Sequence, residues 1–329
     1  MTTARGLALK PNLLIFSCVS SAQVLAELEE RYNVTYCTDP LGADEARFFA
    51  ALGEADALMG ASLTLDRAVL ERAPKVKVIA SVSAGYDNYD LDYLRERGIC
   101  LTNTPDAVTE TTADTAFLLL MMAARRALEM ADLVRNGQWH EKNIPASLFG
   151  TDVHGKRLGI IGLGRIGAAI ARRARFGFGM SIVYSGQSDK PALEHELGAQ
   201  RVALEQLLAE ADFICVCVPL SDATRHLIGA REFGLMREQS IFLNVSRGAV
   251  VDEAALIDTL QRGGIRAAGL DVFAQEPLPA GSPLPGLRQV CALPHIGSAT
   301  VEARALMART AADNLHRVLR GEPPIDRVV

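Results

Sequence analysis

The chain has 329 residues, of which 49% are hydrophobic and 22% charged, and its formal net charge is −5. This length is typical of two domains, and the composition is typical of a globular protein. The negative charge and the lack of Lys- or Arg-rich runs argue against a nucleic-acid-binding surface. The apolar run at 13–19 is too short to span a bilayer and lacks a signal-peptide cleavage site. We therefore expect a cytoplasmic protein with no membrane or nucleic-acid partner.

The cysteines do not indicate a disulfide framework or a metal site. All six lie in apolar, β-branched segments: Cys18, Cys37, Cys100, Cys215, Cys217 and Cys291. No pair or Cys/His cluster has the spacing of a zinc site. We expect reduced thiols that pack as small hydrophobic side chains, and no metal.

The first hundred residues alternate between two kinds of pattern. Short apolar runs predict strands at "NLLIFSCVS", "NVTYC", "ADALMG", "KVKVIASVS" and "ICLTN". Helical spacing appears between them in "SAQVLAELEERY", "ADEARFFAAL" and "LDRAVLERA". This alternation predicts a mostly parallel sheet covered by helices on both faces.

One long helix is predicted from Thr109 to about Gly137, with Gly137 as its C-terminal stop. Its middle, 116–124, is apolar all round, which predicts burial between layers or subunits. The following stretch, "QWHEKNIPASLFGTDVHGK", has few periodic features and predicts a long loop of the kind that often carries function.

A second β/α series begins at Arg157. Its predicted strands are "RLGIIGLG", "SIVYSG", "ADFICVCVPL", "SIFLNVS", "IRAAGLDVF" and "RQVCALPH". The last helix, in "GSATVEARALMARTAADNLHRVLRG", is too short to form a domain. We expect it to return to the N-terminal domain.

Three glycines, Gly162, Gly164 and Gly167, follow a predicted strand and open a predicted helix. In a dinucleotide site the first glycine allows a tight turn, the second lets the pyrophosphate approach, and the third lets helix and strand pack closely. The phosphates would bind the free N–H groups at the helix N-terminus. The alternative is a glycine turn with only a structural role.

The second strand of this series bears on the choice of nucleotide. An NAD site carries an acidic residue about twenty positions after the first glycine, where it binds the ribose hydroxyls. Here that place holds Ser185, followed by Gln187, Ser188 and Lys190. The missing carboxylate removes repulsion of a 2′-phosphate, although no Arg in the segment supplies a bidentate clamp. The sequence favours NADP(H), with NAD(H) as the alternative.

Three charged residues follow predicted strands in the second half: Arg247, Glu276 and His295. Ligands of open α/β sheets bind at the carboxyl ends of strands. Arg pairs bidentately with a carboxylate, and His can protonate a carbonyl oxygen while a nicotinamide delivers hydride to the carbon. A Glu beside the His would fix its tautomer and keep it protonated. Taken singly, each residue could instead be a surface charge, a turn residue or a loop histidine.

These residues, with "VIASVSAGYDNYD", "GLGRIG", "NVSRGAVVDE", "AAGLDVFAQEPL" and "PHIGSAT", resemble the D-isomer-specific 2-hydroxyacid dehydrogenases over nearly the whole chain. Within that family, "GYDNYD", "FGTDVHGK" and "RFGFGM" are most similar to the bacterial 2-ketogluconate reductases and glyoxylate/hydroxypyruvate reductases. The resemblance implies an α/β protein with two doubly wound parallel-sheet domains and a homodimer. A Rossmann cofactor domain, 105–295, is inserted into a flavodoxin-like substrate domain, 1–104 and 296–329.

The resemblance also implies residue roles. Arg247, Glu276 and His295 form the catalytic set, with His295 as the general acid. Ala84 and Gly85 offer backbone N–H groups to the substrate carboxylate, and Tyr86 lines the pocket. Asp271 contacts the nicotinamide carboxamide. The implied cofactor-binding residues are Val108, Thr112, Gly162, Leu163, Gly164, Arg165, Ile166, Gly167, Ser185, Gln187, Val218, Pro219, Thr224, Val245, Ser246, Arg247, Asp271, His295 and Gly297.

The expected activity is reduction of a small 2-oxo acid, such as 2-ketogluconate, hydroxypyruvate or glyoxylate, to the D-2-hydroxy acid by NADPH. One alternative is a phosphite-type or other NAD-dependent dehydrogenase on the same fold. A second is a non-catalytic nucleotide sensor similar to the corepressors of this fold, because fold alone does not decide function. The presence of Arg, Glu and His together favours the enzyme.

Overall fold

The computed structural model describes residues 10–16, 19 and 21–329. By their internal contacts these residues form two compact units. The first runs to Val108 and takes up the chain again at Thr300–Val329, and the second is Thr109–Ala299. The sequence analysis placed the two boundaries after residues 104 and 295.

Five parallel strands form the sheet of the first unit: β1 (Asn12–Ile15), β2 (Asn33–Tyr36), β3 (Ala57–Gly60), β4 (Val78–Ser81) and β5 (Cys100–Thr102). Their order is β2-β1-β3-β4-β5. This is the flavodoxin-like doubly wound order, whose direction reverses beside the first strand. β3 and β4 are buried along their whole length, as is typical of strands covered on both faces.

Four helices connect these strands: α1 (Ala22–Arg31), α2 (Glu45–Glu54), α3 (Arg67–Leu70) and α4 (Leu91–Arg97). Side-chain caps mark the starts of α1, α3 and α4; Ser21, for example, accepts a hydrogen bond from the amide of Val24, and Asp90 accepts one from that of Tyr93. α4 was not predicted from the sequence. Its signal was the Asp90 cap together with Gly98, which ends the helix in the left-handed region at φ +67°.

The second unit contains a seven-stranded sheet: β6 (Arg157–Ile161), β7 (Ser181–Ser185), β8 (Gln200–Arg201), β9 (Phe213–Val216), β10 (Ile241–Asn244), β11 (Ala267–Leu270) and β12 (Val290–Ala292). All neighbouring pairs are parallel, in the order β12-β11-β10-β9-β6-β7-β8. This is the Rossmann order with one strand added at the β12 edge. The predicted fold class is confirmed.

Seven helices belong to the second unit: α5 (Thr109–Arg125), α6 (Ala127–Arg135), α7 (Arg165–Arg172), α8 (Pro191–Leu197), α9 (Leu204–Glu210), α10 (Ala230–Leu235) and α11 (Glu253–Gln261). A π-helical turn, Arg173–Gly177, extends α7. Helices therefore follow most strands of this sheet, as the second β/α series predicted.

The prediction of one helix from Thr109 to Gly137 is wrong, because the chain breaks between α5 and α6. Arg126 adopts a left-handed conformation at φ +52°. The carbonyl of Ala124, which residue 128 would use in a continuous helix, instead accepts a hydrogen bond from the amide of Thr151 at 2.8 Å. In the middle of α5, Leu118 is 47% exposed in this chain, so its burial between subunits stays a prediction.

The last helix, α12 (Val301–Leu319), belongs to the first unit. Its buried face, which includes Met307, Ala311 and Leu315, shares a core with Leu13 and Val78. After α12 the chain pairs with β5 in the antiparallel direction, and the amide of Val328 donates to the carbonyl of Leu101 at 2.8 Å. Both contacts tie the C-terminal segment to the first unit.

Cys18 lies outside the described residues. Among the others, Cys37, Cys215 and Cys291 are buried, Cys100 and Cys217 are partly exposed, and none forms a disulfide. In the described ranges no group of three or more His, Cys, Asp or Glu side chains is arranged to hold a metal ion. Within the same ranges, no helix has the length and apolar character needed to cross a membrane.

Candidate active site

Most of the predicted site residues lie at the carboxyl edge of the sheet in the second unit. Each of these residues is the last of a strand or lies within three residues after it, in the order β6, β7, β9, β10, β11 and β12: Gly162, Ser185, Val218, Arg247, Asp271 and His295. Because the strands are parallel, their carboxyl ends share one edge, and ligands bind at that edge in open α/β sheets. Pro219, Thr224, Val245 and Ser246 belong to the loops of the same edge.

Gly162 makes the turn out of β6. Its φ is +96°, which L side chains rarely adopt, and an added Cβ would lie 2.8 Å from Cγ1 of Val218. Its amide donates to the carbonyl of Ser185 at 2.9 Å, which joins the glycine turn to the end of β7. Glycine is therefore required here by both conformation and space.

The next two glycines shape the start of α7. An added Cβ on Gly167 would lie 2.3 Å from the carbonyl oxygen of Gly162, so helix and turn pack backbone against backbone. Gly164 caps the helix without a side-chain hydrogen bond, and nothing lies within 4 Å of the place its Cβ would occupy. Open space beside uncapped N–H groups is what a pyrophosphate requires. Leu163 is buried below this turn, while Arg165 and Ile166 begin the helix.

Ser185 ends β7 half-buried, and Gln187 and Ser188 follow it in an exposed loop. No Arg of the segment itself was available for this loop, but Arg201 reaches it from β8. The guanidinium of Arg201 donates to the carbonyl of Gly186 from Nε at 3.2 Å and from Nη2 at 2.8 Å. Its Nη1 lies 2.7 Å from Oδ1 of Asp189. No spacing of residues predicts this contact.

Asn244, at the end of β10, organises the turn that carries Arg247. Its Oδ1 accepts hydrogen bonds from the amide of Ser246 at 3.1 Å and from its hydroxyl at 3.0 Å, and its Nδ2 donates to the carbonyl of Arg247 at 3.0 Å. An added Cβ on Gly248 would lie 1.8 Å from the carbonyl oxygen of Phe273, so this turn packs directly on the loop after β11. Sequence reasoning missed both Asn244 and Gly248.

His295 and Glu276 form a hydrogen-bonded pair. Nδ1 of His295 lies 2.7 Å from Oε2 of Glu276, and Oε1 of the same carboxylate accepts the amide of Phe273 at 2.9 Å. Burial raises the pKa of Glu276, but the hydrogen bonds from His295 and Phe273 and the positive charge of Arg247 outweigh it and bring the pKa below its ordinary value. An ionised carboxylate on Nδ1 leaves Nε2 as the ring nitrogen available to a ligand.

Asp271 is buried below this pair and holds the backbone that follows His295. Its two carboxylate oxygens accept the amides of Ile296 and Gly297, each at 2.8 Å. Burial raises the pKa of Asp271 above its ordinary value, although these two hydrogen bonds oppose the shift. The hydroxyl of Thr112 donates to the carbonyl of Gly297 at 3.1 Å. His295 itself has a φ of +53°, so this clamp supports a conformation that a non-glycine residue adopts at a cost.

The remaining predicted residues lie in the first unit. Ala84, Gly85 and Tyr86 follow β4, and Tyr86 is exposed, whereas Val108 is buried. The carbonyl of Ala84 accepts from Nδ2 of Asn103 at 2.8 Å, and the amide of Gly85 donates to the hydroxyl of Ser83 at 3.2 Å. Their role toward a substrate stays a prediction.

The chain matches the family model "D-isomer specific 2-hydroxyacid dehydrogenase, NAD binding domain" over residues 117–297. It is 47% identical over 313 residues to a glyoxylate/hydroxypyruvate reductase B of Enterobacter sp. (strain 638), covering 95% of this chain and 96% of that one. A crystal structure of an NADPH-dependent glyoxylate/hydroxypyruvate reductase from Sinorhizobium meliloti, in complex with NADP and malonate, superposes with a TM-score of 0.87 at 32% identity, covering 97% of both chains. A glyoxylate reductase from Paecilomyes thermophila gives a TM-score of 0.87 at 32% identity, over 97% of this chain and 98% of the other. The chain therefore belongs to the family of D-isomer-specific 2-hydroxyacid dehydrogenases.

Proposed function

We propose that this protein reduces a small 2-oxo acid to the D-2-hydroxy acid, with NADPH as the reductant. The observation that carries the proposal is the 2.7 Å hydrogen bond between His295 and Glu276, at the sheet edge that also carries the glycine turn. A nucleotide sensor needs the glycine turn but has no use for an imidazole held in one tautomer by a carboxylate. The pair therefore favours a proton-transfer enzyme over a binding protein.

Arg247 is proposed to bind the substrate carboxylate. It follows β10 on a turn that Asn244 holds by three hydrogen bonds, and its Nη1 donates to the carbonyl of Ser246 at 2.8 Å. A guanidinium presents its N–H donors in a planar fork whose geometry matches a carboxylate. Binding there would fix the orientation of the neighbouring carbonyl group of the substrate.

His295 is proposed to act as the general acid. A reduced nicotinamide bound at this edge would supply the hydride for the carbonyl carbon of the substrate and would itself become oxidised. Nε2 of His295 then gives its proton to the carbonyl oxygen as the electron pair of the broken C=O π bond moves onto that oxygen. The product is a hydroxyl group and a neutral imidazole. Glu276 stays ionised and stabilises the imidazolium before transfer.

The preference for NADPH over NADH rests on the loop after β7. Ser185 stands where a ribose-binding carboxylate would repel a 2′-phosphate. The solved Sinorhizobium meliloti relative is named as NADPH-dependent and contains NADP. NADH remains a usable but poorer cofactor in this proposal, because no acidic side chain at position 185 binds its ribose hydroxyls.

Glyoxylate and hydroxypyruvate are the proposed substrates, because the curated relatives at 44–47% identity carry those two names. 2-Ketogluconate is the alternative that the sequence pattern raised. All three present a carboxylate beside a ketone or aldehyde, so Arg247 and His295 would treat the reacting end of each in the same way.

We further propose a homodimer in the cytoplasm, with no nucleic-acid partner. α6 has no buried residue, and apolar side chains of α6 and the following loop are exposed in this chain: Leu128, Val134, Trp139, Ile144 and Phe149. An apolar surface of this kind is typical of a protein–protein contact. The net charge of −5 opposes binding to nucleic acid.

Initial rates test the proposal. Glyoxylate, hydroxypyruvate, 2-ketogluconate and pyruvate would each be combined with NADPH and with NADH, and the loss of reduced nicotinamide followed. We expect the highest kcat/KM for glyoxylate or hydroxypyruvate with NADPH. No oxidation of either cofactor with any of the four acids would contradict the proposed activity, and a higher kcat/KM with NADH would contradict the cofactor preference.

A further inference from the structure

Arg201 occupies a short edge strand beside the loop that follows β7. β8 has only two residues, and its register pairs Gln200 with Val183 and Arg201 with Tyr184. From there the Arg201 side chain reaches forward past the end of β7, to the carbonyl of Gly186 and the carboxylate of Asp189. One guanidinium therefore contacts both ends of the segment 186–189.

Asp189 is the one acidic side chain in "SGQSDK", residues 185–190. Ser185, Gln187 and Ser188 are neutral and Lys190 is positive, so Asp189 is the only source of negative charge in this segment. A ribose 2′-phosphate bears nearly two negative charges, and a bare carboxylate in the same loop would repel it. The ion pair with Arg201 neutralises that carboxylate.

We propose that Arg201 is a specificity-determining positioning residue, which makes this loop accept a 2′-phosphorylated nucleotide by neutralising Asp189. The inference rests on the proposed use of NADPH and adds a residue that acts on it through Asp189. The two hydrogen bonds to the carbonyl of Gly186 hold the guanidinium in place, so that the cation stays beside the loop. A lysine could supply the charge but not this three-point geometry.

A contribution to global stability does not explain the contact between Arg201 and Asp189. The side chains of Arg201 and Asp189 are 38% and 71% exposed, and exposed ion pairs contribute little to global stability. The far end of the loop also has its own anchor. The amide of Lys190 donates to the hydroxyl of Tyr184 at 2.9 Å, and that hydroxyl donates to Oε1 of Glu194 at 2.5 Å. Loss of Arg201 therefore leaves the loop attached while exposing the charge of Asp189.

Two nucleotides that differ only in the 2′-phosphate test this directly. Adenosine 2′,5′-bisphosphate and 5′-AMP would be titrated into the full chain by calorimetry at low ionic strength, and the ratio of their Kd values taken. Arg201→Gln should lower the preference for the bisphosphate by about tenfold, the size of one charge-assisted interaction. Arg201→Lys should lower the preference for the bisphosphate less than Arg201→Gln does, because lysine keeps the positive charge. The thermal midpoint should stay that of the parent protein.

A second variant isolates the charge of Asp189. Asp189→Asn combined with Arg201→Gln should restore most of the preference, because no carboxylate then needs neutralising. Arg262→Gln is the matched control, since Arg262 forms a similarly exposed ion pair with Asp258 on α11, and it should leave the ratio unchanged.

The outcomes separate this inference from the proposal it rests on. A parent protein that binds both nucleotides equally would contradict the NADPH preference itself. A parent that prefers the bisphosphate, with Arg201→Gln showing the same ratio, would overturn the role of Arg201 alone. Failure of the double variant to regain the preference would overturn the role of Asp189.

Discussion

Glu276 uses its two carboxylate oxygens for different partners, the imidazole of His295 and the amide of Phe273. We expect Glu276→Gln to lower kcat for 2-oxo acid reduction by about 10–100-fold, within the usual contribution of acid–base catalysis. The amide has the same shape, but it removes the charge that stabilises the imidazolium and leaves one acceptor oxygen in place of the two that Glu276 uses. Because the pKa of Glu276 lies below its ordinary value, a fall of kcat caused by its protonation should begin only below that value in the parent and should be absent in the variant.

A pH–rate profile of kcat for parent and variant measures both effects, and the Kd of NADPH serves as the control that should not move. A variant with the same kcat and the same pH profile as the parent would show that the carboxylate charge does not act on His295.

Arg247 provides the second residue-scale prediction. Arg247→Lys should raise KM for the 2-oxo acid and lower kcat, with a combined loss of about 10–100-fold in kcat/KM, because an ammonium cannot form the bidentate pair of a guanidinium. Steady-state kinetics with hydroxypyruvate measure it. Unchanged KM and kcat in the lysine variant would mean that Arg247 does not bind the carboxylate.

At the scale of elements, the start of α7 separates a stability effect from a binding effect. Gly167→Ala places a methyl group 2.3 Å from the carbonyl of Gly162, and the resulting overlap should destabilise the protein by about 1–3 kcal/mol. Gly164→Ala places its methyl group in open space, so stability should hold while NADPH binding weakens at least about tenfold.

Thermal unfolding and NADPH titration of both variants give the measurement. If Gly164→Ala binds NADPH as tightly as the parent does, the pyrophosphate does not bind at this turn. If Gly167→Ala unfolds at the same temperature as the parent, the packing of α7 on the glycine turn can accommodate a methyl group.

Some strands and helices could be predicted from the sequence, and others could not. Buried strands such as β6 and β9 were predictable because parallel strands covered on both faces are continuous apolar runs. β8 was not predictable, since it has only two residues, both exposed, and is defined as a strand only by its pairing with β7. The break between α5 and α6 was hidden for a similar reason, because it depends on Thr151, a residue distant in sequence.

The residues of the candidate site also divide into those that the sequence indicated and those that it did not. Arg247, Glu276 and His295 became candidates because each follows a predicted strand of a parallel sheet, and the family resemblance grouped them as a catalytic set, which stays a prediction. Arg201, Asn244 and Gly248 were missed, because their contacts connect different loops or run from a side chain to backbone without a spacing signature.

At the scale of the whole molecule, the exposed apolar side chains of 127–149 predict self-association. In the parent, light scattering coupled to gel filtration should give twice the mass of the chain. Val134→Glu together with Trp139→Glu should shift the protein toward monomer, because each puts a charge at a side chain that is now 62% or 57% exposed and apolar. Ile325→Glu, at an equally exposed apolar residue of the first unit, is the control expected to stay dimeric. A parent of single-chain mass would contradict the dimer.

The central claim is that His295, held by Glu276, protonates a 2-oxo acid during reduction by NADPH. Single-turnover oxidation of enzyme-bound NADPH by hydroxypyruvate tests it most directly, in the parent and in His295→Gln, which keeps a polar side chain but has no transferable proton. We predict rapid oxidation in the parent and a rate lower by about 10²–10⁴-fold in the variant, with NADPH bound equally well by both. Equal rates in the two proteins, or no oxidation in the parent, would contradict the account.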